Sequence, residues 1–260
     1  MAIKQEQVDK YGLIGKDIGY SFSRSFFKAK FEREDISASY KNLDCKDVDA
    51  IKSVLSDTSI RGYNVTIPYK EVVIDLIDEL DEDARAIGAV NTIKRMPDGH
   101  LKGFNTDYIG FRESLFNSVE GNMFKNALRE RKTKLNALIM GTGGASKAIV
   151  YALTKMGVNC QYISRKRTKT AITYDDIDET LMMNNWLIVN CTPLGTYPDV
   201  DQSPDIPFDF ITLSHIAYDV IYNPAETVFL KAAKERGATT YNGLPMLEGQ
   251  ALASWEIWQS

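Results

Sequence analysis

Lys70 ends the stretch "GYNVTIPYK", positions 62 to 70, which reads as a short strand of alternating apolar and polar side chains stopped by Pro68 at the start of a helix. The pattern places Lys70 in the first helical turn. A cation is unexpected there, because a helix N-terminus carries roughly half a positive charge and favours acids. Such a lysine is either a solvated surface group or one held for chemistry. A second chemical signal is "ALIMGTGGASKA", 137 to 148, where apolar Ala137 to Met140 precede Gly141, Gly143 and Gly144 and helix formers follow. Strand, glycine-rich turn and helix in that order suit a pyrophosphate: glycines let the backbone approach, and the helix N-terminus supplies amide donors and positive potential. The spacing is Gly-x-Gly-Gly rather than Gly-x-Gly-x-x-Gly, with Ala145 and Ala148 giving small contacts where helix meets strand. A tight turn that binds nothing is the bland alternative.

The end of the next strand separates the dinucleotides. NAD-binding units usually place an acid there for the ribose 2′-hydroxyl, whereas "ISRKRTK" offers Arg165, Lys166, Arg167 and Lys169 and no acid. A guanidinium can clamp phosphate oxygens and stack on adenine, so NADP is favoured over NAD, against the alternative of a solvated basic loop.

The elements that must position these groups alternate between strand and helix. "KYGLIG" (10 to 15) and "SASYKNLD" (37 to 44) read as strands flanking the helical "SFSRSFFKAKFERED", and "VDAIKSVLSD" reads as a second helix. This βαβαβ beginning implies a largely parallel sheet. "EVVIDLIDELDEDARAIGA" reads as an acidic amphipathic helix, and "VNTIKRMPDGHLKGFNTD" as two short strands around an Asp98-Gly99 turn. A long helical pattern runs from Tyr108 to the charged "KNALRERKTK", after which a new strand, turn, helix, strand series begins. That restart predicts two α/β domains: residues 1–107, completed by a C-terminal helix over 244–260, and a Rossmann-type unit over 108–243.

Composition bounds the function. With 260 residues, 44% hydrophobic and 25% charged, the chain has ample core, and a net charge of -4 with a pI near 5.4 gives no basic excess for nucleic acid or anionic membrane. Cys45, Cys160 and Cys191 share no close spacing and have only His100 and His215 beside them, so neither a disulfide framework nor a metal site is expected. The polar "MAIKQEQVDK" start and the lack of a long apolar run predict a cytoplasmic protein.

"GYNVTIPYK", "AIGAVNT" (86 to 92), "GFNTDYIG" (103 to 110), "GTGGASKA", "NCTPLGT" (190 to 196), "YDVIYNPAETVFL" (218 to 230) and "NGLPMLEGQA" (242 to 251) resemble, in that order and nearly end to end, the shikimate dehydrogenase family. The resemblance implies NADPH-dependent reduction of 3-dehydroshikimate to shikimate, on the way to chorismate and the aromatic amino acids, in a cleft between two domains that closes on its ligands. It makes Lys70 and Asp107 the catalytic pair. Ser21 and Ser23 match its carboxylate site, Asn64, Thr66, Asn91 and Gln250 its hydroxyl-binding positions, and Tyr222 a tyrosine near the carboxylate. On the cofactor side Gly141, Thr142, Gly143, Gly144 and Ala145 cradle the pyrophosphate. Ser164, Arg165 and Lys169 belong to the adenine loop, Thr192 and Val220 flank ribose and nicotinamide, and Gly243 meets the nicotinamide through its backbone. The residues alone leave Asp107, Ser21 and Ser23 open as helix caps. No metal is implied, and a monomer or a homodimer fits.

Where the family reads His-Ser-x-Ser-Pro this chain has Tyr20 and Arg24, and its Asn-Arg-Thr adenine loop is Ser164, Arg165 and Lys166. Other readings are a quinate/shikimate dehydrogenase with looser cofactor choice, a methylene-tetrahydrofolate dehydrogenase, which lacks this motif order, and a catalytically silent NADP-binding sensor.

Overall fold

A computed structural model of the chain describes residues 8–19, 21–116 and 135–260. Tyr20 and the charged end of the helical pattern after Phe116 lie outside the described residues. The chain divides into two compact units, one reaching to Thr106 and including Ala251–Ser260, the other spanning Asp107–Gln250.

The first unit is built on β1 (Asp9–Gly15), α1 (Phe22–Arg33), β2 (Ala38–Asp44), α2 (Val48–Leu55), β3 (Ile60–Val65), β4 (Glu79–Leu80), α3 (Glu82–Ile87), β5 (Thr92–Arg95) and β6 (Leu101–Phe104). Its sheet has the order β2-β1-β3-β5-β6-β4, parallel across β2, β1 and β3 and antiparallel where the β5–β6 hairpin joins. Each local choice has a cause. Helix α1 buries Ser23, Phe27, Lys30 and Phe31, the i, i+4, i+7, i+8 stripe of one helical face. Helix α2 starts where the Asp47 carboxylate accepts the Ala50 N–H at 2.9 Å. Gly99 takes a φ of 93° in the hairpin turn, a conformation that costs other residues a steric clash.

Residues 71–89 depart from the expected single helix. They form a short 3-10 turn over Val72–Leu76, then β4, then α3. The Asp78 carboxylate accepts the Leu101 N–H at 2.7 Å, and its own N–H donates to the Leu101 carbonyl at 3.0 Å, which pulls the chain into pairing with β6. Asp81 then caps a new helix by accepting the Asp83 N–H at 3.1 Å. Lys70 therefore sits in the turn between β3 and the 3-10 segment, not in the first turn of an α-helix.

The second unit contains α4 (Asp107–Phe116), β7 (Asn136–Met140), α5 (Gly144–Lys155), β8 (Asn159–Ile163), β9 (Ala171–Ile172), α6 (Glu179–Asn184), β10 (Leu187–Asn190), β11 (Ile216–Asp219), α7 (Val228–Glu235) and β12 (Thr239–Tyr241). Its six strands are all parallel, in the order β12-β11-β10-β7-β8-β9. Strands β10 and β11 are buried at every residue, as a parallel sheet covered on both faces requires. Phe111, Ile139, Ile149, Leu153, Val189 and Tyr218 pack on one face, and Leu138, Met140, Ile188, Ala217 and Phe229 on the other.

The last helix, α8 (Leu244–Gln259), carries the residues that complete the first unit. The Trp258 indole donates to the Ile93 carbonyl at 3.0 Å and stacks on Tyr11 at 4.7 Å between ring centroids. It lies so close to β3 that a Cβ at Gly62 would fall 2.4 Å from the indole nitrogen. Gly62→Ala must displace this ring, and overpacking of that kind costs about 1–3 kcal/mol. Urea unfolding followed by tryptophan fluorescence should show a lower midpoint for Gly62→Ala; an unchanged midpoint would mean that Trp258 repacks freely.

Candidate active site

In the first unit, the expected substrate-side residues gather at the carboxyl ends of β1 and β3. Ser21 precedes α1 with its N–H on the Ile18 carbonyl at 3.1 Å, and Ser23, buried in the first turn, hydrogen-bonds the Tyr40 phenol. The Tyr40 hydroxyl in turn donates to Asn64 Oδ1 at 2.8 Å. Asn64 Nδ2 lies 2.9 Å from Ser254 Oγ and 3.3 Å from both Thr92 Oγ1 and the Asn91 carbonyl. Asn91 closes the group: its Oδ1 accepts the Thr106 N–H at 2.6 Å, and its Nδ2 donates to Thr106 Oγ1 at 3.0 Å. Thr66 follows β3 with its N–H on the Ile14 carbonyl at 2.9 Å. The half-buried Lys70 is held by its own carbonyl, which accepts the Val90 N–H at 2.7 Å, one residue before Asn91. Arg24 is exposed on α1.

In the second unit, sheet order reverses between β7 and β10, and an open parallel sheet offers a crevice at such a point. Gly141 stands there with a φ of 102°, and a Cβ on it would approach the Cys191 carbonyl oxygen to 3.1 Å. The exposed Gly143 caps α5 without a side chain, Gly144 and Ala145 open the helix, and no acid occupies its first turn. A helix N-terminus left without its own carboxylate keeps its positive pole and first N–H groups for an external anion. Thr142 is exposed above this turn. Thr192 is fixed from both ends: its N–H and hydroxyl donate to Asn190 Oδ1 at 3.0 and 2.7 Å. Gly243 is pressed against the end of β11, where a Cβ would overlap the Val220 carbonyl oxygen at 1.9 Å. After β8, Ser164 donates its N–H to the Ile172 carbonyl at 2.9 Å, while Arg165, Lys166 and Lys169 are exposed and Arg167 pairs with Asp176. These features fit a dinucleotide with a charged adenine end: space at the glycines, a helix N-terminus without an acid in its first turn and exposed cations one strand away.

Comparison with known proteins gives the geometry its family. Residues 13–93 match the model of the shikimate dehydrogenase substrate binding domain. The NADP(+) shikimate dehydrogenase of Methanococcus maripaludis is 37% identical over 267 residues, covering 95% of this chain and 90% of that protein. The chain belongs to the shikimate dehydrogenase family. A Thermus thermophilus shikimate 5-dehydrogenase solved with NADP(H) and shikimate superposes with a TM-score of 0.82 at 28% identity, covering 96% of this chain and 93% of that one. A Corynebacterium glutamicum quinate dehydrogenase solved with NAD reaches a TM-score of 0.81 at 25% identity, covering 96% and 93%.

Within this shikimate dehydrogenase fold, Ser23, Asn64 and Asn91 are brought into one hydrogen-bonded group, and Gly141 and Thr192 meet at the switch point. Asp107 and Gln250 fall in the second unit. Asp107 is the buried first residue of α4, where a carboxylate faces a favourable dipole. Gln250 Nε2 donates to the Leu247 carbonyl at 2.9 Å, and its backbone packs on Gly110 of α4. Tyr222, just past β11, is partly exposed, with its phenol pushed up by burial. Sequence reasoning missed Tyr40, Thr92, Thr106 and Ser254, which tie the substrate-side asparagines together. Thr92 and Thr106 lie inside the quoted motifs and could have been found there. Tyr40 and Ser254 carry no local signal. Among the described residues no group of His, Cys, Asp or Glu could hold a metal, and no helix is long and apolar enough to cross a membrane.

One further carboxylate is unusual. Asp219, at the end of β11, is fully buried and raised from 3.8 to about 6 by desolvation, against hydrogen bonds from Thr227, Ile221 and Asn190. The folded chain thus holds its proton more tightly than the unfolded chain, so the group's stabilising contribution is complete below about pH 4 and is lost as pH rises through about 6. That gap corresponds to roughly 3 kcal/mol. Chemical denaturation of wild type and Asp219→Asn from about pH 4 to about pH 8 should show the stability difference turning against wild type as pH rises. A difference that is flat with pH would place the carboxyl at its ordinary value.

Proposed function

We propose that this chain catalyses the reversible NADPH-dependent reduction of 3-dehydroshikimate to shikimate, supplying chorismate and aromatic amino acid synthesis. The observation that carries this reading is likeness along the whole chain, 37% identity over 95% of it, to an NADP(+) shikimate dehydrogenase. The geometry supports it from both units. The buried serine and asparagine cluster suits a ring bearing a carboxylate and several hydroxyls, and buried polar groups matched to hydroxyls reject analogues that lack them.

In this reading Ser21 and Ser23 take the carboxylate, with Tyr222 beside it, and Asn64, Thr66, Asn91 and Gln250 take the hydroxyls. Asn64 is already bonded to Tyr40 and Ser254, so it also holds its neighbours in place. Gly141 to Ala145 hold the pyrophosphate, and Ser164, Arg165 and Lys169 the adenine end. Thr192, Val220 and the backbone of Gly243 hold the ribose and nicotinamide. NADPH, when bound, supplies the hydride. The Lys70 ammonium stabilises the charge that develops on the substrate oxygen and protonates it, and in the reverse direction the amine removes that proton. Asp107 orients the substrate hydroxyls.

Turnover is read from reduced-nicotinamide absorbance with shikimate or quinate and NADP or NAD. We expect fast NADP reduction with shikimate, and a loss in kcat of about 10²- to 10⁴-fold in Lys70→Ala. Activity chiefly on quinate with NAD would favour a quinate dehydrogenase, a reading for which the Corynebacterium structure speaks. NADP binding without turnover on any pair would leave a silent sensor.

A further inference from the structure

The carboxyl ends of β10 and β11 converge on Asp219. Its Oδ1 accepts the Ile221 N–H at 3.0 Å and Asn190 Nδ2 at 3.2 Å, and its Oδ2 accepts the Thr227 hydroxyl at 2.7 Å. Asn190 passes this order outward: Oδ1 takes the N–H and hydroxyl of Thr192, and Nδ2 also reaches the Leu194 carbonyl at 3.4 Å. On the other side the Ile221 carbonyl accepts the Gly243 N–H at 2.9 Å, and Thr227 Oγ1 accepts the Leu230 N–H that starts α7 at 3.3 Å. One carboxylate therefore fixes three chain segments: the turn carrying Thr192, the turn carrying Val220, and the beginning of α7.

We propose that Asp219 is a positioning residue for the cofactor site, whose carboxylate sets the Thr192 and Val220 loops, so that disturbing it weakens NADP binding without an equal effect on shikimate. This rests on the function proposed above. Nothing places Asp219 against a ligand; it acts through Asn190 and Ile221. An ionised carboxylate accepts from three donors at once, whereas an amide in its place must turn its own N–H₂ toward one of them. The burial that raises the Asp219 carboxyl makes keeping it there costly for the fold, so its hydrogen bonds to the turns carrying Thr192 and Val220 are what its retention secures. Thr227 offers an independent handle, because it reaches Asp219 from a helix N-terminus and is buried at 1% exposure.

The test uses the full chain as wild type, Asp219→Asn, Thr227→Val and Thr227→Ser, with NADPH affinity measured by fluorescence titration and KM by turnover. Asp219→Asn and Thr227→Val should raise the NADPH dissociation constant and the KM for NADP by about tenfold or more, with the KM for shikimate within about twofold of wild type. Thr227→Ser, which keeps the hydroxyl, should restore wild-type values. Folded variants with unchanged NADPH affinity, or with both KM values raised alike, would overturn the proposal while leaving the enzyme's function intact. If Asp219→Asn does not fold, the Thr227 pair decides alone: equal affinities in the Val and Ser variants overturn it. A wild-type chain that neither binds NADPH nor turns over shikimate would remove the proposed function and this inference with it.

Discussion

Buried hydrogen-bonding groups must find partners inside the protein, because an unmet one costs about 1–3 kcal/mol, and the ends of both sheets are organised by that constraint. Each uses a buried asparagine, which has donors and an acceptor on one short side chain and can fasten two segments at once. Asn91 Oδ1 accepts the Thr106 N–H in the first unit, and Asn190 Oδ1 accepts the Thr192 N–H in the second. In both cases the amide binds the chain just beyond a strand, where the ladder ends and backbone groups would otherwise lack partners. The loops that carry the proposed ligand contacts are thus fastened by side chains at the strand ends, polar rather than apolar.

Close backbone approach is the counterpart of this polar fastening. At Gly243 there is no room for a methyl group beside the Val220 carbonyl, so the chain after β12 can lie against the end of β11. At Gly141 the positive φ favours glycine, and the nearby Cys191 carbonyl leaves a side chain little room. Ser254 does for the first unit what Asp219 does for the second. Its hydroxyl lies 2.9 Å from Asn64 Nδ2, 2.7 Å from Thr92 Oγ1 and 3.1 Å from Thr106 Oγ1, and it reaches that position only because Trp258 and Ala251 pack the end of α8 into the core of the same unit.

What the sequence made legible follows from the range of the forces involved. Strands β1, β2 and β7 and helices α1 and α2 carry local signals in their own residues, α2 with its Asp47 cap as well, and the glycine-rich turn declares its backbone needs in four residues. The segment 71–89 was misread because its acids act at a distance: Asp78 is held by Leu101, and helical periodicity cannot report a strand pairing 23 residues away. Ser254 bonds Asn64 across 190 residues, and nothing about a serine in an apolar helix announces such a partner. The motif "YDVIYNP" drew attention to Val220 and Tyr222, yet the residue with the largest structural reach there is Asp219, whose partners Asn190 and Thr227 come from different elements.

The basic loop after β8 shows why counting charges is not enough. Four cations stand in "ISRKRTK", but Arg167 is committed to Asp176, whose carboxylate also accepts the Thr173 N–H at 2.7 Å and hydroxyl at 2.8 Å and is held below its usual range by those bonds first and by Arg167 after them. Arg167 is a brace for the loop rather than a free ligand group. The brace leaves Arg165, Lys166 and Lys169 on an exposed turn whose backbone is tied to β9 through Ser164 and Thr168. Exposed cations are worth little singly and are screened by salt, so a preference for a 2′-phosphate has to come from several of them held together by a structured turn. The Arg167 ion pair removes one cation from the count and leaves three exposed on the turn.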